Sequence, residues 1–165
     1  TLPHLHPDRV VLVRTPDVQS AAGTCARLLA REKCSLYANP DCAYLFTGDA
    51  GALAAGPVLV PSTGMLRQWQ LDHLRLVGIT DEQMVAVPPF MSVILRQTLE
   101  GRGASVFMDS HVAAQVKRGE LVPVLDDIAA LYLQFFWHHS LDPVLADELC
   151  AAIAALRTRP ARGEG

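Results

Sequence analysis

The residues of this chain best suited to chemistry sit directly after short apolar runs. Val58-Leu59-Val60 leads into Pro61-Ser62-Thr63-Gly64, two hydroxyls and a glycine at the opening of a helix. Free backbone N–H groups and the helix dipole at such a point favour an anion, a carboxylate for example. The ordinary use of the same hydroxyls is N-capping. Val85-Ala86-Val87 leads into Pro88-Pro89-Phe90-Met91. The prolines stiffen that turn and remove amide donors, leaving an apolar edge. Phe90 and Met91 would line a pocket for an aromatic or acyl group, or join a core. Phe107 and Met108 end the next strand and face the same edge. Arg14-Thr15-Pro16 closes the first strand with a guanidinium that can meet a carboxylate or stand in water.

Nothing in the chain reads as catalytic machinery. A nucleophile–base–orienter set, a G-x-S-x-G elbow, an H-E-x-x-H pair and a phosphate loop are all missing, so no enzyme is expected. Asp126-Asp127 reads as solvated carboxylates in a turn. The four cysteines, Cys25, Cys34, Cys42 and Cys150, lack a C-x-x-C spacing and read as small buried hydrophobes. Cys34 and Cys42 leave a thiol redox sensor as an alternative. The histidines, among them the pairs His4/His6 and His138/His139, match no zinc spacing. No metal and no cofactor is expected.

The elements that must position these residues alternate between strand and helix. Strands are expected at Arg9–Arg14, in the later part of Leu28–Ala38, and at Val58–Val60, Met84–Val87, Ser105–Met108, Leu121–Leu125 and Ala129–Phe136. A helical turn is expected at Ala50–Ala55. A helix capped by Ser62 or Thr63 runs to about Val77, with Gly78 as its C-terminal glycine. Another runs from Pro89 to about Glu100, with Met91, Ile94, Leu95, Thr98 and Leu99 on one stripe. Ser110 caps a short helix carrying Val112, Ala113 and Val116. Asp142-Pro143 starts the last helix, whose buried face would be Leu141, Leu145, Leu149, Ala152, Ile153 and Leu156. The tail 157–165 reads as flexible.

At 165 residues and 50% apolar composition, the chain can build one domain or two small subdomains. The net charge of -3 gives no reason to expect nucleic-acid binding by this segment. No apolar run approaches the roughly 20 residues of a membrane span, and Thr1–Pro7 has no signal-peptide character. A cytoplasmic location is expected.

Several motifs in order resemble one family. Gly101-Arg102-Gly103-Ala104-Ser105-Val106-Phe107-Met108, a short helix, and Gly119-Glu120-Leu121-Val122-Pro123-Val124-Leu125 are similar to the "G-x-G-I-A-x-x-P … G-x-L-V-x-V-L" pattern of LysR-type transcription regulators, in their effector-binding domain. Leu28 to Leu45, with Ala38-Asn39-Pro40-Asp41, resembles the family's hinge segment. Pro57-Val58-Leu59-Val60, a helix with Arg67, and Ala130-Leu131-Tyr132-Leu133 followed by Leu141-Asp142-Pro143 resemble its later elements. The chain departs from the pattern at Met108, where the family has proline, and at Ala104, where it has isoleucine.

The resemblance implies an α/β, bilobal fold like that of periplasmic binding proteins. Residues 1–45 and 122–156 would form a partial first lobe with hinge strands, and 46–121 a complete second lobe. Roughly the first third of a complete effector domain, which normally runs to about 200 residues, would be absent. The implied function is sensing of a small anionic metabolite between the lobes, with contacts from Ser62, Thr63 and Gly64. Dimers or tetramers are implied, with DNA bound only through a winged helix-turn-helix outside this chain, and no membrane. The rival reading is a reduced domain acting as an interaction or oligomerisation module. A stand-alone periplasmic solute-binding protein shares the fold but would need a signal peptide.

Overall fold

The computed structural model describes residues 10–20, 22–46 and 56–158. The helical turn expected at Ala50–Ala55 and nearly all of the expected tail lie outside the described residues. Six strands hydrogen-bond in the order β1-β6-β2-β5-β3-β4. Two compact units share them: Glu32–Leu131, and Thr1–Arg31 with Tyr132–Gly165. The division falls inside β2 (Thr24–Ala38) and β6 (Val122–His138), so each long strand contributes to both units.

In the unit Glu32–Leu131, β3 (Val58–Pro61) is followed by α1 (Leu66–Leu76), β4 (Met84–Val87), α2 (Met91–Leu99), β5 (Ala104–Met108) and α3 (Asp109–Lys117). β3 runs parallel to β4, with Val58 beside Met84 and Pro61 beside Val87. It also runs parallel to β5, with Leu59 beside Ser105. β2 is antiparallel to β5, and Cys34 faces Met108 across the ladder. Every residue of β3 and β5 is buried, because helices cover both faces of the sheet.

Alternation along the strands builds two cores. Cys34, Leu36, Val58, Val60, Val106 and Met108 pack with Leu71, Leu74 and Ile79 of the α1 segment. Tyr37, Leu59 and Phe107 point the other way, against Ile94 of α2, Val112 of α3 and Leu121. Successive strand residues face opposite sides, so one apolar run serves both layers.

The glycine pair after α2 has two separate causes. Gly101 adopts φ +76° and closes the helix; its N–H bonds to the Thr98 carbonyl, and that of Arg102 to Gln97. Gly103 has an ordinary φ but no room. A Cβ there would lie 2.7 Å from the Pro57 carbonyl oxygen and 3.0 Å from the Leu59 side chain. That closeness lets Ala104 N–H bond to Pro57 and register β5 against β3.

Several local expectations are corrected. Neither Ser62 nor Thr63 caps α1. Gly64 turns the chain at φ +103°, and the helix starts two residues later, with Met65 at the cap position and no side-chain cap. Ser110 lies inside α3, which begins at Asp109. The stripe of α2 is buried at Ile94 and Thr98, whereas Met91 is exposed. Ala113 and Val116 of α3 are also exposed. The two strands expected at 121–125 and 129–136 are one 17-residue strand, β6. Asp126-Asp127 therefore lies within a strand, where Asp127 takes a left-handed φ of 47°. Aspartate tolerates that region better than most residues.

In the other unit, β1 (Val10–Thr15) pairs antiparallel with β6, Arg14 facing Leu133. Gln134, almost fully buried, uses both ends of its amide on one residue: it accepts the Gln19 N–H at 2.6 Å and donates to the Gln19 carbonyl at 3.1 Å. α4 (Pro143–Thr158) starts as expected, with Asp142 accepting the Val144 N–H. Its buried positions are Ala146 and Cys150, with Leu149 and Ile153 half-buried. Leu145, Ala152 and Leu156 are exposed, so the packed face is turned from the expected stripe towards small residues that allow close approach.

Candidate functional site

Three parallel strands end at one edge of the sheet in Glu32–Leu131, and all three run directly into helices. β3 leads through Ser62–Met65 into α1, β4 through Pro88–Phe90 into α2, and β5 directly into α3. The carboxyl ends of parallel strands are where α/β sheets place ligands. The residues at the three helix starts are Met65, Phe90 and Met108, and none of the three helices has a side-chain cap hydrogen bond. First-turn N–H groups without side-chain acceptors are open to water or to a ligand. The dipoles are answered differently. α3 carries Asp109 in its first turn, whereas α1 and α2 have no acidic residue there. The positive ends of α1 and α2 therefore have no carboxylate of their own first turn beside them.

Backbone bonds make this edge rigid. Ser62 N–H bonds to the Val87 carbonyl at 2.8 Å, joining the ends of β3 and β4. The Arg67 guanidinium donates to the Pro61 carbonyl at 2.5 Å, tying α1 to the strand before it. Ser62, Thr63 and Gly64 are exposed, as are Pro89, Phe90 and Met91. The structure therefore gathers these six sequence-selected residues on one edge, open to solvent. Phe107 and Met108 are enclosed, 1% and 5% exposed, and their side chains belong to the two cores. Arg14 and Thr15 lie in the other unit. There Thr15 donates to the Asp17 carbonyl at 2.7 Å, and Arg14 flanks a cavity of about 500 Å³ with Leu12, Leu133, Ile153 and Leu156.

A polar network beside this edge was not legible as a site. β2 is antiparallel, so it reaches the edge with its earlier residues Lys33 and Ser35. The buried Ser35 hydroxyl lies 2.7 Å from Asp109 Oδ1 and 3.2 Å from Asp126 Oδ1, and it accepts the Asp127 N–H at 3.1 Å. The Tyr37 hydroxyl donates to Asp109 Oδ1 at 2.9 Å. Burial, and then this hydrogen bond, push the Tyr37 pKa well above its ordinary value. Lys33 Nζ stands 3.6 Å from Asp109 and 3.9 Å from Asp126. The available signal was the alternation of Lys33, Ser35 and Tyr37 with Cys34, Leu36 and Ala38 at the end of β2.

Cys34 and Cys42 do not meet. Cys34 pairs with Met108 at one end of β5, and Cys42 Sγ contacts the Gly101 carbonyl just before the other end. Five strand residues separate those ends, about 15 Å, far beyond the reach of a disulfide.

No protein-family model and no curated protein matches the chain. Solved structures do. ArgP from Mycobacterium tuberculosis superposes with a TM-score of 0.67 at 18% identity, over 93% of this chain and 53% of that one. The full-length LysR-type regulator LysG from Corynebacterium glutamicum, with bound effector Arg, gives 0.63 at 21% identity, over 90% and 52%. A sulfate-bound regulatory domain of an OxyR2 mutant from Vibrio vulnificus gives 0.61 at 12%, over 89% and 71%. The chain thus has the α/β, periplasmic-binding-protein-like fold of LysR-type regulatory domains, and spans about half the length of the full-length regulators.

Proposed function

We propose that this chain is the effector-sensing part of a LysR-type transcription regulator, and that its ligand is a small metabolite carrying an anionic group. The carrying observation is the shared edge where α1 and α2 begin without a side-chain cap or a first-turn acid, flanked by Ser62, Thr63 and Gly64. The anionic group would sit on the Ser62–Met65 turn, with Pro89, Phe90 and Met91 beside its apolar part. Among the neighbours, LysG carries Arg and the OxyR2 domain carries sulfate, both consistent with a charged small ligand. In this reading Glu32–Leu131 corresponds to the second lobe and the other unit to part of the first. DNA would be engaged by a winged helix-turn-helix outside these residues, and ligand would act through its different affinity for two conformations.

The test is a thermal-shift screen against amino acids, dicarboxylates and aromatic carboxylates, followed by calorimetry. A hit should weaken about tenfold in Ser62→Glu, which puts a negative charge on the turn. A hit that binds this variant equally well would remove the edge from the proposal.

Homo-oligomerisation belongs to the same reading, and one observation also favours the module alternative. Val10 and Leu12 on the end strand β1, with Leu145 and Leu156 on α4, are 43–65% exposed. Exposed apolar strand edges attract partner chains. Sedimentation analysis read together with the ligand screen separates the two: the sensor binds ligand whether or not it self-associates, whereas a pure module associates and binds none.

A further inference from the structure

We propose that Ser35 is a positioning residue that relays the state of the Asp109 carboxylate to the Asp126–Asp127 corner of β6. The side chain is fully buried. Its oxygen accepts the Asp127 N–H and faces two carboxylates, Asp109 at 2.7 Å and Asp126 at 3.2 Å. A hydroxyl has one proton, so it serves only one of them at a time. The network has two discrete arrangements.

In the first, Ser35 donates to Asp109, which also takes the Tyr37 hydroxyl, and Asp126 is left to water and Lys33. In the second, the Ser35 proton turns to Asp126. Distance and solvation favour the first. The Asp109 side chain is 30% exposed and that of Asp126 70%, so the carboxylate with less water keeps the protein donor. The balance reverses when something else satisfies or neutralises Asp109. Asp109 is open to such a change because it is the first residue of α3, on the edge where β3, β4 and β5 end. In both arrangements Ser35 holds the Asp127 N–H, and so a non-glycine residue at φ 47° within a strand. Lys33, at 3.6 and 3.9 Å from the two carboxylates, is too distant and too exposed to lock either state.

The relay is tested on the ligand-free chain, so it can fail while the sensor reading stands, and the reverse. Asp109→Asn removes the competing charge, and the chemical shift of the Asp126 carboxyl carbon is followed by NMR at pH 7. Losing a neighbouring negative charge moves that resonance by itself, so the change in shift is compared with Ser35 present and with Ser35→Ala. The relay predicts that the change falls to half or less without Ser35. Equal changes in the two backgrounds overturn it. If Ser35→Ala does not fold, Ser35→Cys, a similar shape with a weak donor, serves in the same comparison. Amide exchange gives a second reading: Asp127 N–H should exchange at least tenfold faster in the Ser35 variant, and an unchanged rate also overturns the relay.

Discussion

The Tyr37 hydroxyl donates to Asp109 Oδ1 across 2.9 Å, linking the end of β2 to the first residue of α3. Tyr37 is 5% exposed, with its ring 6.4 Å from that of Phe107. The bond to a charged acceptor should contribute about 1.5–3 kcal/mol. Tyr37→Phe keeps the ring and loses that amount, which urea denaturation at pH 7 would read.

The same pair sets an alkaline pH dependence. The folded-state pKa of Tyr37 is raised by burial first and by Asp109 second. Its contribution is fully present below the unfolded tyrosine pKa of about 10. As pH rises beyond that value the unfolded state gives up its proton first, and the contribution is lost towards the higher folded pKa. The stability gap between wild type and Tyr37→Phe should therefore narrow above pH 10. A gap that stays constant between pH 8 and pH 11.5 would contradict the assignment.

How much of this could be read from residues alone follows the physics. Buried strands such as Val58–Val60 announce themselves as apolar runs between turn residues, and Gly78 and Gly101 stand where helices must end. The gathering of Ser62–Gly64 with Pro89–Met91 was legible once three parallel strands were assumed, because parallel strands share an edge. Phe107 and Met108 were not separable from wall residues: which way a residue points in a strand covered on both faces depends on register. The Ser35 network joins residues 74 and 91 positions apart, a distance no local pattern spans. Asp126-Asp127 reads as a turn because paired aspartates favour turns, and Asp127 does take a left-handed backbone; the strand continues through it with the Asp127 N–H bonded to the Ser35 hydroxyl.

Phe107 should behave as core. Phe107→Ala opens a cavity among Tyr37, Leu59, Ile94 and Val112 and should cost about 3–5 kcal/mol. Phe107→Leu should cost less, because it retains most of the volume. If Phe107→Ala leaves the denaturation midpoint unchanged, the packing of this face is wrong.

Two glycines distinguish space from backbone conformation. At Gly119 an added Cβ meets nothing within 4 Å, but φ is +72°. Gly119→Ala should cost about 1–2 kcal/mol, the penalty of the left-handed region. At Gly103 the backbone is ordinary, and the added Cβ would press on the Pro57 carbonyl and Leu59. Gly103→Ala must shift β5 against β3, and overpacking of this kind costs about 1–3 kcal/mol. The two are told apart by where they act: only Gly103→Ala should speed amide exchange at Ala104, whose N–H bonds to Pro57.

Ser62 and Thr63 offer a test in which stability and binding part company. A serine or threonine that caps a helix loses about 1 kcal/mol on replacement by alanine. Here α1 starts after Met65 without a side-chain cap, and both residues are exposed on the bend before it. Ser62→Ala and Thr63→Ala should therefore stay within about 0.5 kcal/mol of wild type, as surface changes do. If the edge binds an anionic group through these hydroxyls, the same variants weaken ligand severalfold while melting like wild type. Loss of stability in step with loss of binding would instead return both hydroxyls to capping. Calorimetry and thermal melts on the two variants decide between these outcomes.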